Sequence, residues 1–215
     1  MTISTKLLSQ YILPGDNIIV GVSGGADSMV LLDLINKFNK KVEFDFYAVH
    51  INHSIRDKEA TRDQLFVENY CKKNNIKFIC KSVDAPLYCK QSGKTLEQGA
   101  RELRYKEFNN ILLEKNANKI FVAHHANDQA ETVLMHIARG SSLSGAKGMS
   151  FISNNIYRPL LNITRKQIDQ YLKENFLNKL YLHLLNLEQI QVYFLLNIDQ
   201  FAFLLYLVKV YKYCY

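Results

Sequence analysis

Few local structures satisfy residues 21–32, GVSGGADSMVLL. The run leading into them, Asn17–Val22 (NIIVGV), is short, apolar and β-branched, which predicts a buried strand. Beyond them Met29, Val30, Leu31, Leu32, Leu34 and Ile35 form the apolar face of a helix that fades at Asn36 and Lys37. Two adjacent glycines and two serines therefore stand between a strand and a helix start. In such a turn several backbone N–H groups converge on one concavity, and the helix dipole favours an anion there. Gly24 and Gly25 permit unusual backbone angles and let a ligand come close. Ser23 and Ser28 add hydroxyls, and Asp27 adds a carboxylate able to hold a metal or a reacting group. The stretch reads as a phosphate cradle, with an ordinary Gly/Ser turn as the bland alternative. It is neither GxxxxGK[ST] nor GxGxxG, which excludes a Walker-type loop and a dinucleotide fingerprint.

Further strand-like runs follow at Phe44–Ile51, Ile76–Ser82 and Lys119–Ala123. Helical patterns alternate with them at Ser28–Phe38, Asp57–Lys73, Thr95–Lys115 and Asn127–Arg139, and capping boxes stand at Thr95–Gln98 and Thr164–Gln167. This alternation predicts an α/β fold, a Rossmann-like parallel sheet with helices on both faces. In such folds ligands lie at the carboxyl ends of the strands. Each chemically loaded segment falls just after a strand: HINHSIRD with His50, His53 and Arg56; the helix TLEQGARELRYKEF, entered from the loop VDAPLYCKQSGK, with Arg101 and Arg104 on one face; and HHANDQAET with His124, Asp128 and Glu131. Each has an ordinary structural explanation. HxxH suggests zinc, but a strand end and loop supply no i, i+4 ligand pair. The arginines can be a solvated face, and Asp128 and Glu131 can complement a helix dipole. Their convergence on one sheet edge favours a composite site.

A length of 215 residues accommodates one well-cored α/β domain with an appendage. The net charge of +7 suits a polyanionic partner such as nucleic acid, although a chain rich in Asn, Lys, Ile, Tyr and Phe also reflects an AT-rich genome. Four cysteines without a CxxC, and no signal-like start, predict free thiols in a reducing cytoplasm and no membrane attachment of the domain.

The SGGxDS of residues 23–28 is the signature of the PP-loop ATP pyrophosphatases. With VHINHSIR, LEQGARELRY, HHANDQAETVLMHIARGS and RPLLNITRKQIDQYL, the chain resembles the tRNA(Ile)-lysidine synthase family over about residues 10–178. The resemblance implies ATP-dependent joining of free lysine to the wobble cytidine of a CAU-anticodon isoleucine tRNA, through an adenylated cytidine, with release of pyrophosphate and AMP. It implies that Ser23, Gly24, Gly25, Ala26, Asp27 and Ser28 hold the β,γ-phosphates of ATP, with Mg²⁺ near Asp27. It implies that Arg104, in preference to Arg101, neutralises the α-phosphate, and that His124 assists adenylation or proton transfer. Asp128 and Glu131 would grip the lysine ammonium or accept its proton.

The chain departs from the family pattern at Asn127, where many relatives carry Asp, and at Ser142, where they carry Gly. From residue 179 nothing matches, and an expected basic block is replaced by a Leu-, Tyr-, Phe- and Ile-rich tail. We read residues 1–178 as the catalytic domain and the tail as an out-of-frame end of a longer gene; an interaction helix or a membrane span are the alternatives. Two other function classes stay open: an ATP-binding remnant that modifies nothing, and a tRNA 2-thiolation ligase of the same superfamily. The latter needs a sulfur-handling cysteine arrangement that the spacing of Cys71, Cys80 and Cys89 does not suggest.

Overall fold

The computed structural model describes residues 3–54, 57–138, 140 and 147–175. The β-branched run at residues 17–21 becomes the strand β1 (Asn17–Gly21), which lies between β2 (Asp45–Asn52) and β4 (Lys119–Phe121), parallel to both. On the far side of β2 lies β3 (Lys77–Ser82), also parallel. Beyond β4 the sheet continues through β6 (Ile156–Tyr157) to β5 (Ile152–Ser153), giving the order β3-β2-β1-β4-β6-β5. The chain thus runs outward from β1 to β3 and then returns to the opposite side of β1. That reversal opens a crevice at the carboxyl end of β1.

Side chains alternate across β1. Ile19 joins Val49, Ile51, Ile120 and Val122 in a cluster closed by Phe108 and Ile111 of α4 (Leu96–Glu114). Ile18 and Val20 point to the other face and are equally buried. The helix α1 (Ala26–Asn39) buries nearly its whole apolar sequence from Met29 to Ile35, and α6 (Arg165–Glu174) packs against it. Between them in sequence lie α2 (Asp57–Lys73), α3 (Ala85–Ser92) and α5 (Ala126–Ala138). The α/β class with helices on both faces agrees with the expectation, and both capping boxes form, at Thr95 and Thr164.

The sheet is parallel from β3 through β6, and the two-residue β5 adds one antiparallel pairing at its edge. One expectation is corrected. The segment VDAPLYCKQSGK is not a plain loop: residues 85–92 form α3, capped by the Asp84 side chain on the Leu87 N–H, with proline in its first turn and left-handed Gly93 (φ +68°) ending it. Among the described residues no helix is long and apolar enough to cross a membrane. Arg56, Arg139, Ser142 and the tail from residue 179 lie outside the described residues.

Candidate functional site

The turn between β1 and α1 is built by its two serines. Ser28 Oγ donates to the Gly25 carbonyl (2.8 Å) and accepts from the Ser23 N–H (3.2 Å), while Ser23 Oγ lies 3.2 Å from it and accepts from the Gly25 N–H (3.3 Å). Ser28 is therefore buried inside the turn, whereas Ser23 stands exposed at its rim. Gly24 takes φ +93°, and a Cβ there would sit 3.0 Å from Asp63 Cβ, so both conformation and space require glycine. Gly25 caps α1 without any side-chain hydrogen bond, in contrast to α3, α4 and α6, whose first turns are capped by Asp84, Thr95 and Thr164. The first turn of α1 thus has no capping side chain, an arrangement able to face an anion.

This turn borders a cavity of about 760 Å³ at the carboxyl ends of β1, β2 and β4. Ser23, Asp27, Ser28, Arg104 and His124 all line it, together with His50, Asn52 and His53. Arg104 Nε lies 3.5 Å from His53 Nε2 across the cavity wall. Arg101 stands exposed against the Tyr105 ring, 5.2 Å from its centre, and is not among the lining residues. His50 is 4% exposed and donates from Nδ1 to the Val22 carbonyl (2.9 Å), tying β2 to the start of the turn. No group of three His, Cys, Asp or Glu side chains among the described residues could hold a metal ion. Cys71, Cys80 and Cys89 are free thiols; burial pushes the Cys71 thiol up to about 12 and raises Cys80.

Electrostatics on the arginine side is strongly positive. His124 is pushed down to about 4, first by burial and then by Arg158, Arg101 and Arg104, with Asp128 opposing them. His53 falls to about 4 through burial, then Arg104 and His50. Arg158 is 6% exposed; its Nη1 donates to the Ser150 carbonyl (2.9 Å), and its Nε has no hydrogen-bond partner among the described residues. His124 Nδ1 is unpartnered in the same sense. Both imidazoles are therefore uncharged at neutral pH and line a wall that attracts anions.

The acidic residues are arranged less simply. Asp128 Oδ2 accepts from the His125 N–H (2.8 Å), closing the first turn of α5 in a capping role. Glu131 stands exposed on α5, and neither it nor Asp128 is among the residues lining the cavity. His125 lies between Asp27 and Asp128. Its Nδ1 accepts from the Asn127 N–H (3.2 Å), which places the ring proton on Nε2, 3.6 Å from Asp27 Oδ1. Asp27 is raised by burial and by Asp128, against the opposing pull of Arg165 and His125. The direct partner of Asp27 is Arg165, whose Nη1 lies 3.1 Å and 3.3 Å from its two oxygens. The sequence reading missed His125 and Arg165. Arg165 lay within a capping box and the family-like block RPLLNITRKQIDQYL without a role of its own, because no local pattern announces a contact across 138 residues.

A family model described as a PP-loop domain matches residues 2–179. The tRNA(Ile)-lysidine synthase of Clostridioides difficile (strain 630) is 44% identical over 177 residues, which is 82% of this chain and 38% of that protein. That of Clostridium tetani is 44% identical over 162 residues, 75% of this chain and 35% of that protein. The chain thus spans little more than a third of the length of these curated relatives. Among solved structures, the U34-tRNA thiolase NcsA from Methanococcus maripaludis with its [4Fe-4S] cluster superimposes with a TM-score of 0.66 at 18% identity, covering 78% of this chain and 60% of that one. The NH3-dependent NAD synthetase from Campylobacter jejuni superimposes with a TM-score of 0.52 at 18% identity, covering 91% and 83%. These two likenesses establish the fold.

Proposed function

We propose, from the premise that this chain belongs to the PP-loop domain family, that it binds ATP and activates a tRNA base for attack by an amine, as a lysidine synthase core. One observation carries the proposal: the uncapped glycine turn of α1 faces Arg104 and His124 across a single cavity at the sheet's switch point. The 44% identity with two lysidine synthases supports the choice of substrates, tRNA(Ile) and free L-lysine.

In this reading the β,γ-phosphates rest on the amides of Gly24, Gly25 and Ala26, with Ser23 Oγ at the rim. Ser28, bonded to the Gly25 carbonyl inside the turn, and the left-handed φ of Gly24 give the turn its shape. Arg104 meets the α-phosphate, where charge develops as the 2-oxo group of the cytidine attacks phosphorus and pyrophosphate leaves. The lysine ε-nitrogen, deprotonated to the free amine, then attacks C2 of the base, AMP departs with the former 2-oxo oxygen, and a base takes one proton from the nitrogen as the C–N bond forms. His124, held near 4, is uncharged at neutral pH and only a weak base until nearby phosphate charge raises it, so its part in adenylation or proton transfer depends on the bound nucleotide. Asp128 has one oxygen engaged in capping and the other available to an ammonium group, with Glu131 one turn further along α5. A carboxylate on the nucleotide turn suits Mg²⁺, which characteristically takes one or two protein carboxylates and completes its shell with phosphate oxygens and water. Asp27 would hold it, and the ion would supply charge neutralisation on the leaving pyrophosphate.

Thermal unfolding with and without ATP and Mg²⁺ tests the nucleotide reading. A ligand at a hundredfold excess over Kd adds about 2.7 kcal/mol of stability. The parent chain should show a clear upward shift in Tm, and Ser23→Ala and Asp27→Ala should reduce it. A parent chain indifferent to ATP would sink the reading.

A further inference from the structure

The guanidinium of Arg165 is gripped at both ends. Its Nε donates to Asp169 Oδ1 (3.0 Å) one turn along α6, while Nη1 reaches both oxygens of Asp27. The backbone around it is equally fixed. The Thr164–Gln167 capping box sets the first turn of α6, the Arg165 N–H donates to Asn127 Oδ1 (3.2 Å), and the Ala126 N–H donates to the Ile163 carbonyl (2.9 Å). The start of α6 is thereby stitched to the start of α5, and its arginine is aimed at the start of α1. Arg165 and Asp27 side chains are each 27% exposed, so the pair is partly withdrawn from water.

A carboxylate on a turn that receives a triphosphate is an electrostatic problem. Unless it is neutralised, it repels the ligand that the amides around it attract. Asp128 adds a second negative charge on the same side, and His125 offers Asp27 only a long contact of 3.6 Å. The fixed cation closest to Asp27 among the described residues is Arg165.

We propose that Arg165 is the resident counter-charge of Asp27, a positioning residue that keeps this carboxylate neutralised and oriented until a divalent cation entering with the triphosphate takes over one of its oxygens. This rests on the nucleotide-binding reading of the turn and extends it to a residue on a different element. It accounts for a bond that reaches from α6 to the first turn of α1, and it predicts that arginine and metal substitute for one another in permitting ATP to bind.

The test is calorimetric titration of the chain with ATP in EDTA and in Mg²⁺, using the parent, Arg165→Gln, Arg165→Lys, Asp27→Asn and the Asp27→Asn/Arg165→Gln double variant. Arg165→Gln should lose about tenfold in metal-free ATP affinity, equivalent to about 1.4 kcal/mol, and Mg²⁺ should restore most of it. Adding Asp27→Asn to Arg165→Gln should recover metal-free binding, because the charge needing neutralisation is gone. A merely structural role for Arg165 would give a loss that neither Mg²⁺ nor Asp27→Asn repairs, and that result overturns the proposal. Arg165→Lys keeps the charge without the two-ended grip and should show a smaller, Mg²⁺-repairable loss; it is the deciding variant if Arg165→Gln does not fold. Parent-like metal-free binding by a folded position-165 variant also overturns the proposal. A parent chain that binds no ATP in either buffer overturns the nucleotide reading itself, so the two failures are distinct.

Discussion

His124 shows how one residue can serve stability and chemistry in opposite ways. Its imidazole sits near 4 instead of 6.5, chiefly because burial and then Arg158 disfavour its charged form. On unfolding, the ring regains its ordinary proton affinity. The unfolded chain therefore binds a proton more readily throughout the window between 6.5 and about 4. Stability from this group is complete above pH 6.5 and drains away as pH falls toward 4, with a slope of at most about 1.4 kcal/mol per pH unit. His53, also held near 4, acts in the same direction. Urea unfolding at pH 7 and at pH 5 should show the parent losing stability on acidification. His124→Asn should lose less, since asparagine does not titrate; an equal pH dependence in both proteins would contradict the assignment. A bound triphosphate should push His124 back up, because negative charge nearby stabilises the imidazolium.

The helix α6 is held by partners distant in sequence. Asp33 on α1 is 8% exposed and receives three donors: the Tyr70 hydroxyl (2.9 Å) from α2, the Tyr171 hydroxyl (2.6 Å) from α6, and Lys37 Nζ (2.8 Å) one turn along its own helix. The Lys37 ammonium also donates to Tyr171 (3.0 Å) and Asn175 (2.6 Å). Burial and the adjacent carboxylate hold both tyrosines far above their ordinary range, so they remain donors at any ordinary pH. Removing one hydrogen bond to a buried charge costs about 1.5–3 kcal/mol, so Tyr171→Phe should lower the urea midpoint by that equivalent. Asp33→Ala strips all three donors of their shared acceptor and should cost more, about 3–5 kcal/mol. If Tyr171→Phe unfolds like the parent, the docking of α6 rests on apolar contacts alone. By contrast α5 buries none of its residues, and Leu134, Met135 and Ile137 are exposed along it. Its amphipathic pattern announces a helix without saying what covers the apolar face.

At the scale of the whole chain, a net charge of +7 favours any polyanion regardless of its sequence. Binding to tRNA should therefore weaken steeply between about 50 and 200 mM salt, as counterion release requires. It should discriminate little between isoleucine tRNA and other tRNAs. Strong discrimination at physiological salt, measured by filter binding, would show that this core reads the tRNA itself. Retention of labelled lysine on tRNA in the presence of ATP is the corresponding activity assay. The sequence by itself determined the alternation of strands and helices, the capping boxes and the glycine turn between β1 and α1, because periodicity, caps and a glycine turn are encoded within a few residues of one another. Short elements escaped it: β5 and β6 have two residues each, too few for a period to show, and α3 carried its signals only in Asp84, proline and Gly93. Tertiary structure alone decided the strand order that opens the crevice beside β1, the exclusion of Asp128 and Glu131 from the cavity lining, and the pairing of Arg165 with Asp27. The reason is physical. A local pattern states which face of an element is apolar, whereas the partner of a charge depends on where two separately stable elements come to rest.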